Sequence, residues 1–327
     1  MTGISKLPIG LAFAAALLGG IAAAGAETFL IDLTHPIPTF KPMEGDPLKA
    51  DLNQPWLDSK PHPTFDQQAI LTISEWPTNQ GYFDSGKLIV DEHHGTHFDT
   101  PAHYLNNEET MEEGGIAVAD RHTAERVTVE QLVGPVVLID ISSRVQAELD
   151  KNGGNPNPDK AITDFSDASG NVVTADDIAA IADKLQDGAW LVMNLGWSKF
   201  YFDGGPEWDK SVYLNGFNHP GMSHESVDKL VQVLDEKNIQ LAGVGADNLA
   251  IDSGEGNVGE GPNMDTNVWY THVKFLQRNI LLLENMANLG ELTTAMNDGA
   301  SCTLVVGAMK HTRGTGSPSR VMAMCER

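Results

Sequence analysis

The chain has 327 residues, and 41% of them are hydrophobic, which is enough for a large packed core. Its formal net charge is −24, with 45 acidic residues against 21 basic ones. Nucleic acids and anionic membrane surfaces are bound through Lys and Arg, so this balance argues against both as partners and leaves a small molecule as the expected one.

The first 26 residues have the composition of a signal peptide. Lys6 gives a weakly positive start, residues 11–21 form an Ala-rich apolar run, and residues 24–26 match the small-residue pattern of a cleavage site. A membrane anchor is the alternative, but no basic residues follow the run. We therefore expect residues 1–26 to be removed on export to the periplasm or the medium. Residues 27–327 are then a single domain that does not contact the membrane.

Strands are predicted in the first part of the mature chain. Runs rich in β-branched residues and bounded by Pro or Gly lie at residues 29–33, 69–73, 87–91 and 135–141. Three stretches rich in Gly, Pro, Asn and Asp, at residues 55–64, 151–158 and 251–266, are predicted as surface insertions. The last of these precedes a candidate site residue, so it is a candidate lid.

Helices and strands alternate in the second part. The first helix is predicted from Thr174, where a capping box precedes an apolar face, and it ends at Gly188. A strand at 190–195, a helix at 223–237, a strand at 241–245, a helix at 269–277 and a strand at 280–284 follow. This βαβ rhythm predicts a mixed α/β architecture.

The two cysteines, Cys302 and Cys325, lie beside strand-like runs at residues 303–308 and 320–324. In an oxidising compartment they can form a disulfide, and two buried free thiols are the alternative. Their separation is not a metal-ligand spacing.

The eleven residues from His93 to His103 contain the densest group of metal-ligand side chains. His93, His97, Asp99 and His103 are separated by even numbers of residues. On an extended chain these four side chains would share one face, and His94 would point the other way. Imidazole and carboxylate together suit a divalent ion such as Zn²⁺ or Mn²⁺. The segment is therefore predicted to bind a metal or to act in catalysis.

The string His-x-Gly-Thr-His-x-Asp-x-Pro-x-His resembles the hallmark of the cyclase family of metal-dependent hydrolases, which includes bacterial kynurenine formamidase and isatin hydrolase. Residues 31–36 with 45–47, residues 220–223 and residues 313–321 are similar to other segments of that family. The resemblance implies a swivelling β/β/α-like domain with a mixed sheet and βαβ units. It also implies a homo-oligomer, either a dimer or a tetramer.

The resemblance also assigns roles to individual residues. The implied ligands of a Zn or Mn ion are His93, His97 and Asp99, and His103 is placed to move protons. Formamidase-like members add a histidine and, twelve residues later, a glutamate, which correspond here to His272 and Glu284.

Glu284 bears on whether the site binds one metal ion or two. Members similar to isatin hydrolase lack this glutamate and use a single ion, so its presence favours a second ion. An ion pair with Arg278 or Lys274 is the alternative. A carboxylate that follows four apolar residues would be costly to bury without a cation, which favours the metal. One or two ions per chain are expected.

These residues predict an exported hydrolase that cleaves an amide or a lactam. The ion would make water nucleophilic and polarise the carbonyl, His103 would accept and return the proton, and the product would be a carboxylate and an amine. The alternatives are a periplasmic metal or small-molecule binding protein without catalysis, and a lactonase or cyclase on the same site.

The substrate is defined less closely. Kynurenine formamidases have an aromatic residue where this chain has Met43, which argues against N-formylkynurenine. Aromatic residues that can line a pocket are Trp76, Tyr82, Phe83, Trp197 and Tyr201, although Trp197 at a strand end fits the core equally well.

Other charged residues have possible supporting roles. Arg313 and Arg320 are candidates to hold a substrate carboxylate, with a surface ion pair as the alternative for Arg320. Asp247 and Asp252 are candidates to orient a loop or a ligand histidine.

Overall fold

The computed structural model describes residues 27–57, 59–62, 68–78, 81–104, 123–203, 211–254 and 269–327, and for residues 74–78 and 81–84 it describes the backbone alone. The expected signal peptide and most of the candidate lid lie outside this part of the chain. No helix among the described residues has the length and hydropathy needed to span a membrane.

The described residues form twelve strands and four α-helices. The strands are β1 (Thr28–Asp32), β2 (Thr39–Met43), β3 (Asp46–Pro55), β4 (Ala69–Thr78), β5 (Gly81–Ile89), β6 (His97–Asp99), β7 (Val133–Asp140), β8 (Trp190–Asn194), β9 (Gly243–Ala246), β10 (Leu281–Glu284), β11 (Ser301–Ala308) and β12 (Gly316–Glu326). The helices are α1 (Ser142–Leu149), α2 (Ala175–Ile181), α3 (His224–Lys237) and α4 (Leu289–Asn297), and a π-helical turn covers His272–Leu276.

The larger sheet closes into a barrel. Strands β7, β8, β9 and β10 are parallel neighbours, and β6 pairs antiparallel with β10. Strand β12 pairs with β6 at one end and with β11 along most of its length, and β11 returns to β7. Because the ring of strands is complete, segments that are far apart in the sequence meet at β6.

The central parallel strands β8, β9 and β10 are buried at every residue, which explains why their sequences are almost entirely apolar. In β8, Leu191 and Met193 belong to one buried cluster with residues of α1, α2 and α3, whereas Trp190 and Val192, on the other face of the strand, belong to a second cluster with residues of α4. Cys302 and Cys325 lie opposite each other on β11 and β12 and form a disulfide in the same interior cluster.

A smaller sheet, in the order β3-β2-β4-β5, precedes the barrel in the chain. Strands β4 and β5 form a long antiparallel hairpin, and β5 leads directly into the histidine-rich segment.

The predicted α/β class with a mixed sheet and βαβ units is confirmed. The capping box of α2 is present, since Thr174 accepts a hydrogen bond from the backbone of Asp177 and Asp177 accepts one from the backbone of Thr174. The expectation that no helix precedes Thr174 was wrong. Helix α1 has only eight residues, and its buried apolar side chains are Val145 and Leu149, too few to give a helical pattern.

Candidate metal centre

The histidine-rich segment is a turn followed by a short strand. Gly95 has a φ of +69°, and a Cβ there would lie 3.3 Å from the Cγ1 atom of Ile37, so glycine fits both the backbone and the space. Only His97–Asp99 is extended. The expectation of one extended face from His93 to His103 was therefore wrong, because turns flank β6 on both sides. His94 is fully buried, and its Nε2 atom lies 3.0 Å from Nε2 of His62.

Two buried carboxylates form the centre of the site. Strand pairing places His97 of β6 opposite Glu284 of β10, and Asp99 opposite Leu282. Asp99 is completely buried and Glu284 is 4% exposed. Within the described part of the chain, Oδ2 of Asp99 and Oε1 of Glu284 are buried without a hydrogen-bond partner. Uncompensated carboxylate oxygens in the interior are costly, so the site needs positive charge.

Two imidazoles face this carboxylate pair. Nε2 of His97 lies 3.4 Å from Oδ1 of Asp99 and 3.5 Å from Oε2 of Glu284. Nε2 of His272 lies 3.4 Å from Oδ2 of Asp99 and 3.3 Å from Oε1 of Glu284. Donor atoms about 2.1 Å from a common tetrahedral ion are about 3.4 Å apart, so the observed separations suit ligands that share a cation.

The remaining ring nitrogens orient these two histidines. Nδ1 of His97 donates a hydrogen bond of 2.9 Å to the carbonyl of Gly95, which leaves Nε2 with a lone pair toward the carboxylates. Nδ1 of His272 lies 3.6 Å from Oδ2 of Asp252. Asp252 accepts two hydrogen bonds from Thr271, through its backbone N–H at 2.9 Å and its hydroxyl at 2.6 Å. Asp252 thus lies where a carboxylate can orient the ring of His272.

His93 and His103 complete the cluster. Their rings stack, with centroids 3.8 Å apart, and Nδ1 of His93 lies 2.7 Å from Oδ1 of Asp99. The ring of His103 is 5.7 Å from that of His272. The structure therefore brings together all six residues that the sequence singled out. Ring nitrogens of His93 and His103 and a carboxylate oxygen of Asp99 lie close enough together to hold an ion, and so do one atom each of His97, Asp99 and Glu284.

Comparison with known proteins places the chain in a family. Residues 31–253 match the sequence model of the Cyclase family. The chain belongs to this family. It is 26% identical over 262 residues to the isatin hydrolase of Roseibium aggregatum, a match that covers 78% of this chain and 80% of the relative. The family and this relative support a metal-dependent hydrolase.

Solved structures show the same fold. A crystal structure of an isatin hydrolase bound to the product analogue thioisatinate has a TM-score of 0.59 at 22% identity, covering 91% of this chain and 92% of the other. Isatin hydrolase A from Labrenzia aggregata bound to benzyl benzoate has a TM-score of 0.56 at 24% identity, and the match covers 91% of this chain and 93% of the other. A crystal structure described as a novel cyclase has a TM-score of 0.58 at 19% identity, and the match covers 91% of this chain and 88% of the other.

The electrostatics of this Cyclase-family site follow from the two carboxylates. Burial and the charge of Asp99 raise the pKa of Glu284. Burial opposes ionisation of Asp99 too, but electrostatic attraction to the His103 and His93 rings, when these are protonated, holds its pKa well below its usual range. For His97, burial disfavours the cation, yet the Asp99 and Glu284 carboxylates outweigh it and raise the pKa to about 9. The cluster attracts positive charge, whether a proton or a metal ion.

His103 behaves differently from His97. Burial lowers its pKa to about 3 and outweighs the attraction of Asp99, and the neighbouring histidines act in the same direction as burial. His103 is therefore a neutral imidazole at neutral pH, with a free nitrogen for a proton, and in the metal-free protein it is a weaker base than an ordinary histidine.

The ion-pair alternative for Glu284 is wrong. Arg278 binds Asp235 at 2.7 Å, and Lys274 lies 3.2 Å from Asp228. Both cations are therefore directed toward helix α3 rather than toward Glu284.

Several candidates lie outside the site. The indole of Trp197 is fully buried in the core and donates to the carbonyl of Tyr213 at 2.7 Å. Arg320 forms an exposed ion pair with Asp32, and the side chain of Arg313 is exposed. The side chains of Trp76, Tyr82 and Phe83 are outside the described part of the chain.

Asn285 is a positioning residue that sequence reasoning missed. Its backbone is left-handed, with a φ of 53°, and its amide donates to the carbonyl of Gly95 at 3.0 Å. Its Oδ1 accepts from the hydroxyl of Tyr213 at 2.9 Å, which fixes the amide orientation. The same Gly95 carbonyl accepts from His97, so Asn285 supports a predicted ligand. Its only signal in the sequence was its position directly after Glu284.

Proposed function

We propose that this chain is a metal-dependent hydrolase that opens a cyclic amide. The observation that carries the proposal is the buried pair Asp99 and Glu284, each of which offers separate oxygens to His97 and to His272. Two ionisable carboxylates, with orphaned oxygens and imidazoles on both sides, fit a cation. The isatin hydrolase relative supports a lactam as the substrate class.

The chain's own residues supply proton transfer and orientation. A divalent ion held by these ligands would supply an activated water and would polarise the substrate carbonyl. His103, as a neutral imidazole, takes a proton from the attacking water and returns it to the ring nitrogen as the carbon–nitrogen bond breaks. The products are a carboxylate and an amine in one opened molecule. Gly95, through its carbonyl, and Asp252 keep His97 and His272 turned toward the carboxylates.

We propose two Zn²⁺ or Mn²⁺ ions per chain. The support is that Asp99 uses Oδ1 toward His97 and Oδ2 toward His272, and that Glu284 divides its oxygens in the same way. Elemental analysis of the natively expressed protein tests the number. Two ions per chain are expected, and one ion retained at saturating metal would contradict the two-ion proposal.

Turnover tests the reaction. Protein reconstituted with Zn²⁺ or Mn²⁺ is offered isatin, other lactams, N-formyl arylamines, esters and lactones, with Asp99→Asn as the inactive control. We expect ring opening of a lactam to be fastest. Faster turnover of lactones would assign a lactonase. Tight metal and ligand binding with every substrate intact would assign a binding protein without catalysis.

We also propose that the protein is exported and forms a homo-oligomer. The composition of residues 1–26 and the Cys302–Cys325 disulfide support an oxidising compartment. Mass spectrometry of the secreted protein is expected to find a chain that begins at Glu27. An oligomer is supported by exposed large apolar side chains on the smaller sheet, which include Leu48, Ile73 and Leu88.

A further inference from the structure

The carboxy-terminal segment at residues 313–321 has no role in the site described so far, although its first strand residues adjoin it. Gly316 of β12 is paired with Asp99 of β6. The carbonyl of Thr315 accepts two hydrogen bonds of 2.9 Å from Thr100, one from the backbone N–H and one from the hydroxyl. Thr315 and Gly316 are therefore fixed next to a predicted metal ligand.

Thr315 links Glu92 to His93. Oε2 of Glu92 accepts hydrogen bonds from the backbone N–H of Thr315 at 2.9 Å and from its hydroxyl at 2.7 Å. Oε1 of Glu92 lies 2.6 Å from Nε2 of His311, which holds the other side of the carboxylate. The hydroxyl oxygen of Thr315 also lies 3.1 Å from Nε2 of His93.

The direction of these hydrogen bonds determines the tautomer of His93. A hydroxyl has one proton, and that of Thr315 is donated to the Glu92 carboxylate, which can only accept. Toward His93 the hydroxyl oxygen must then accept, so Nε2 of His93 carries the hydrogen. In a neutral ring Nδ1 is consequently the nitrogen with the lone pair. Nδ1 lies 2.7 Å from Oδ1 of Asp99, a hydrogen-bond distance that needs a proton between the two atoms when no metal is bound. A bound cation would take the place of that proton.

Gly316 provides the space for this ring. A Cβ at position 316 would lie 2.4 Å from Cε1 and 2.8 Å from Nδ1 of His93, and 2.8 Å from the carbonyl oxygen of Phe98. The backbone oxygen cannot move aside, so any side chain at this position would displace the imidazole.

We propose that Glu92 and Thr315 are positioning residues that fix His93 in the tautomer with hydrogen on Nε2, and that Nδ1 is the nitrogen offered to the metal. The inference rests on the proposed metal site, but it is tested by ring protonation rather than by turnover. The tautomer proposal therefore holds even if the protein does not catalyse the proposed reaction.

Ring nitrogen NMR tests the tautomer directly. Protein labelled with ¹⁵N-histidine is recorded metal-free and with Zn²⁺, and His93 is assigned by the spectrum of His93→Gln. In the native Zn²⁺-loaded protein we expect hydrogen on Nε2 and zinc on Nδ1. Zinc on Nε2 of His93, or no zinc on His93 at all, overturns the proposal whatever the variants do.

Two matched pairs of variants test the positioning residues. Thr315→Val removes the hydroxyl at constant shape and Thr315→Ser keeps it, while Glu92→Leu removes the acceptor and Glu92→Gln keeps one. Chelator competition is expected to show Zn²⁺ affinity about 10–100-fold lower in the first member of each pair. Thr315→Ser and Glu92→Gln are expected to keep the native affinity and the native tautomer of His93.

Thr303→Val, on strand β11, controls for the loss of a threonine hydroxyl elsewhere in the barrel. If Thr315→Val keeps both the native tautomer and the native affinity, Thr315 has no positioning role. If Ser restores folding but not the tautomer, the role of Thr315 is only structural, which also contradicts the proposal.

Discussion

Asp99 and Glu284 are the residues on which the metal site depends most, because each faces both His97 and His272. Asp99→Asn and Glu284→Gln keep the shape and remove the charge. We expect Zn²⁺ affinity to fall by about 100-fold or more. This is a larger loss than the one expected when a residue that only hydrogen-bonds to a ligand is removed. Isothermal titration measures this change. Glu291→Gln, an exposed acid of helix α4, is the matched control, and equal affinity in all three variants would contradict the site.

His103 is expected to affect turnover without affecting metal content. Its neutral imidazole is assigned to proton transfer, so His103→Ala should lower kcat by about 10²–10⁴-fold. Added imidazole should restore part of the rate, because the substitution leaves a cavity into which an imidazole molecule fits. Elemental analysis is expected to find the native metal content. Full turnover in His103→Ala would show that another group moves the proton.

His97 makes the stability of the metal-free protein depend on pH. The pKa of the buried imidazole is raised from 6.5 to about 9 by the Asp99 and Glu284 carboxylates against the opposing effect of burial. A raised pKa means that the stabilisation is complete below pH 6.5 and is lost as the pH rises through about 9. Urea unfolding of metal-free protein should therefore show falling stability over this window. Zn²⁺-loaded protein should lack this dependence. His97→Gln should show a smaller one, because hydrogen bonds with Asp252, Asp99 and Glu284 also raise the pKa of His272 well above its usual range against the effect of burial. An equal slope in all three proteins would refute the prediction.

At the scale of the elements, the disulfide between β11 and β12 closes a loop whose ends are 23 residues apart. Constraint of the unfolded chain by such a loop is worth about 3 kcal/mol. We expect reduction to lower the free energy of unfolding by about that amount, measured in urea with and without a thiol reductant. Cys302→Ala with Cys325→Ala should show no further effect of the reductant. Equal stability of the reduced and oxidised native protein would contradict the prediction.

The elements that could be predicted are those specified by local sequence. Strand β8 is a continuous apolar run and was predicted within one residue. The start of α2 was predicted from the capping box at Thr174, but the helix ends at Ile181 rather than at Gly188. Strands β2 and β3 and helices α1 and α4 were not predicted. Strand β3 is largely exposed and α1 buries few apolar side chains, so neither has a strong periodic pattern.

The site was predicted as a set of residues but not as a geometry. The spacing from His93 to His103 and the family resemblance indicated the ligands. The prediction that residues separated by even numbers share one face was wrong, because only β6 is extended. The contacts of Asn285 and Thr315 depend on the pairing of β6 with β10 and β12, which joins residues far apart in the chain. Periodicity within one segment contains no information on such pairings.

For the whole molecule, closure of the barrel creates the metal centre. Strand β6 has three residues, and it is held on one side by β10, which brings Glu284, and on the other by β12, which brings Gly316. The π-helical turn before β10 brings His272. His97, Asp99 and Glu284 lie on buried strands of the barrel, which favours a preorganised site.

The smaller sheet determines the expected assembly. Leu88 of β5 pairs with Leu71 of β4, and Ile73 lies two residues further along, so Leu88 and Ile73 share one face and are both exposed. If a second copy covers this face, Leu88→Lys with Ile73→Lys should dissociate the native dimer or tetramer, because charge would be buried in an apolar contact. Light scattering measures the mass, and Val129→Lys, which changes an exposed apolar residue outside this sheet, should leave it unchanged. A native mass of one chain, or an unchanged oligomer in the double variant, would show that this face is not the interface.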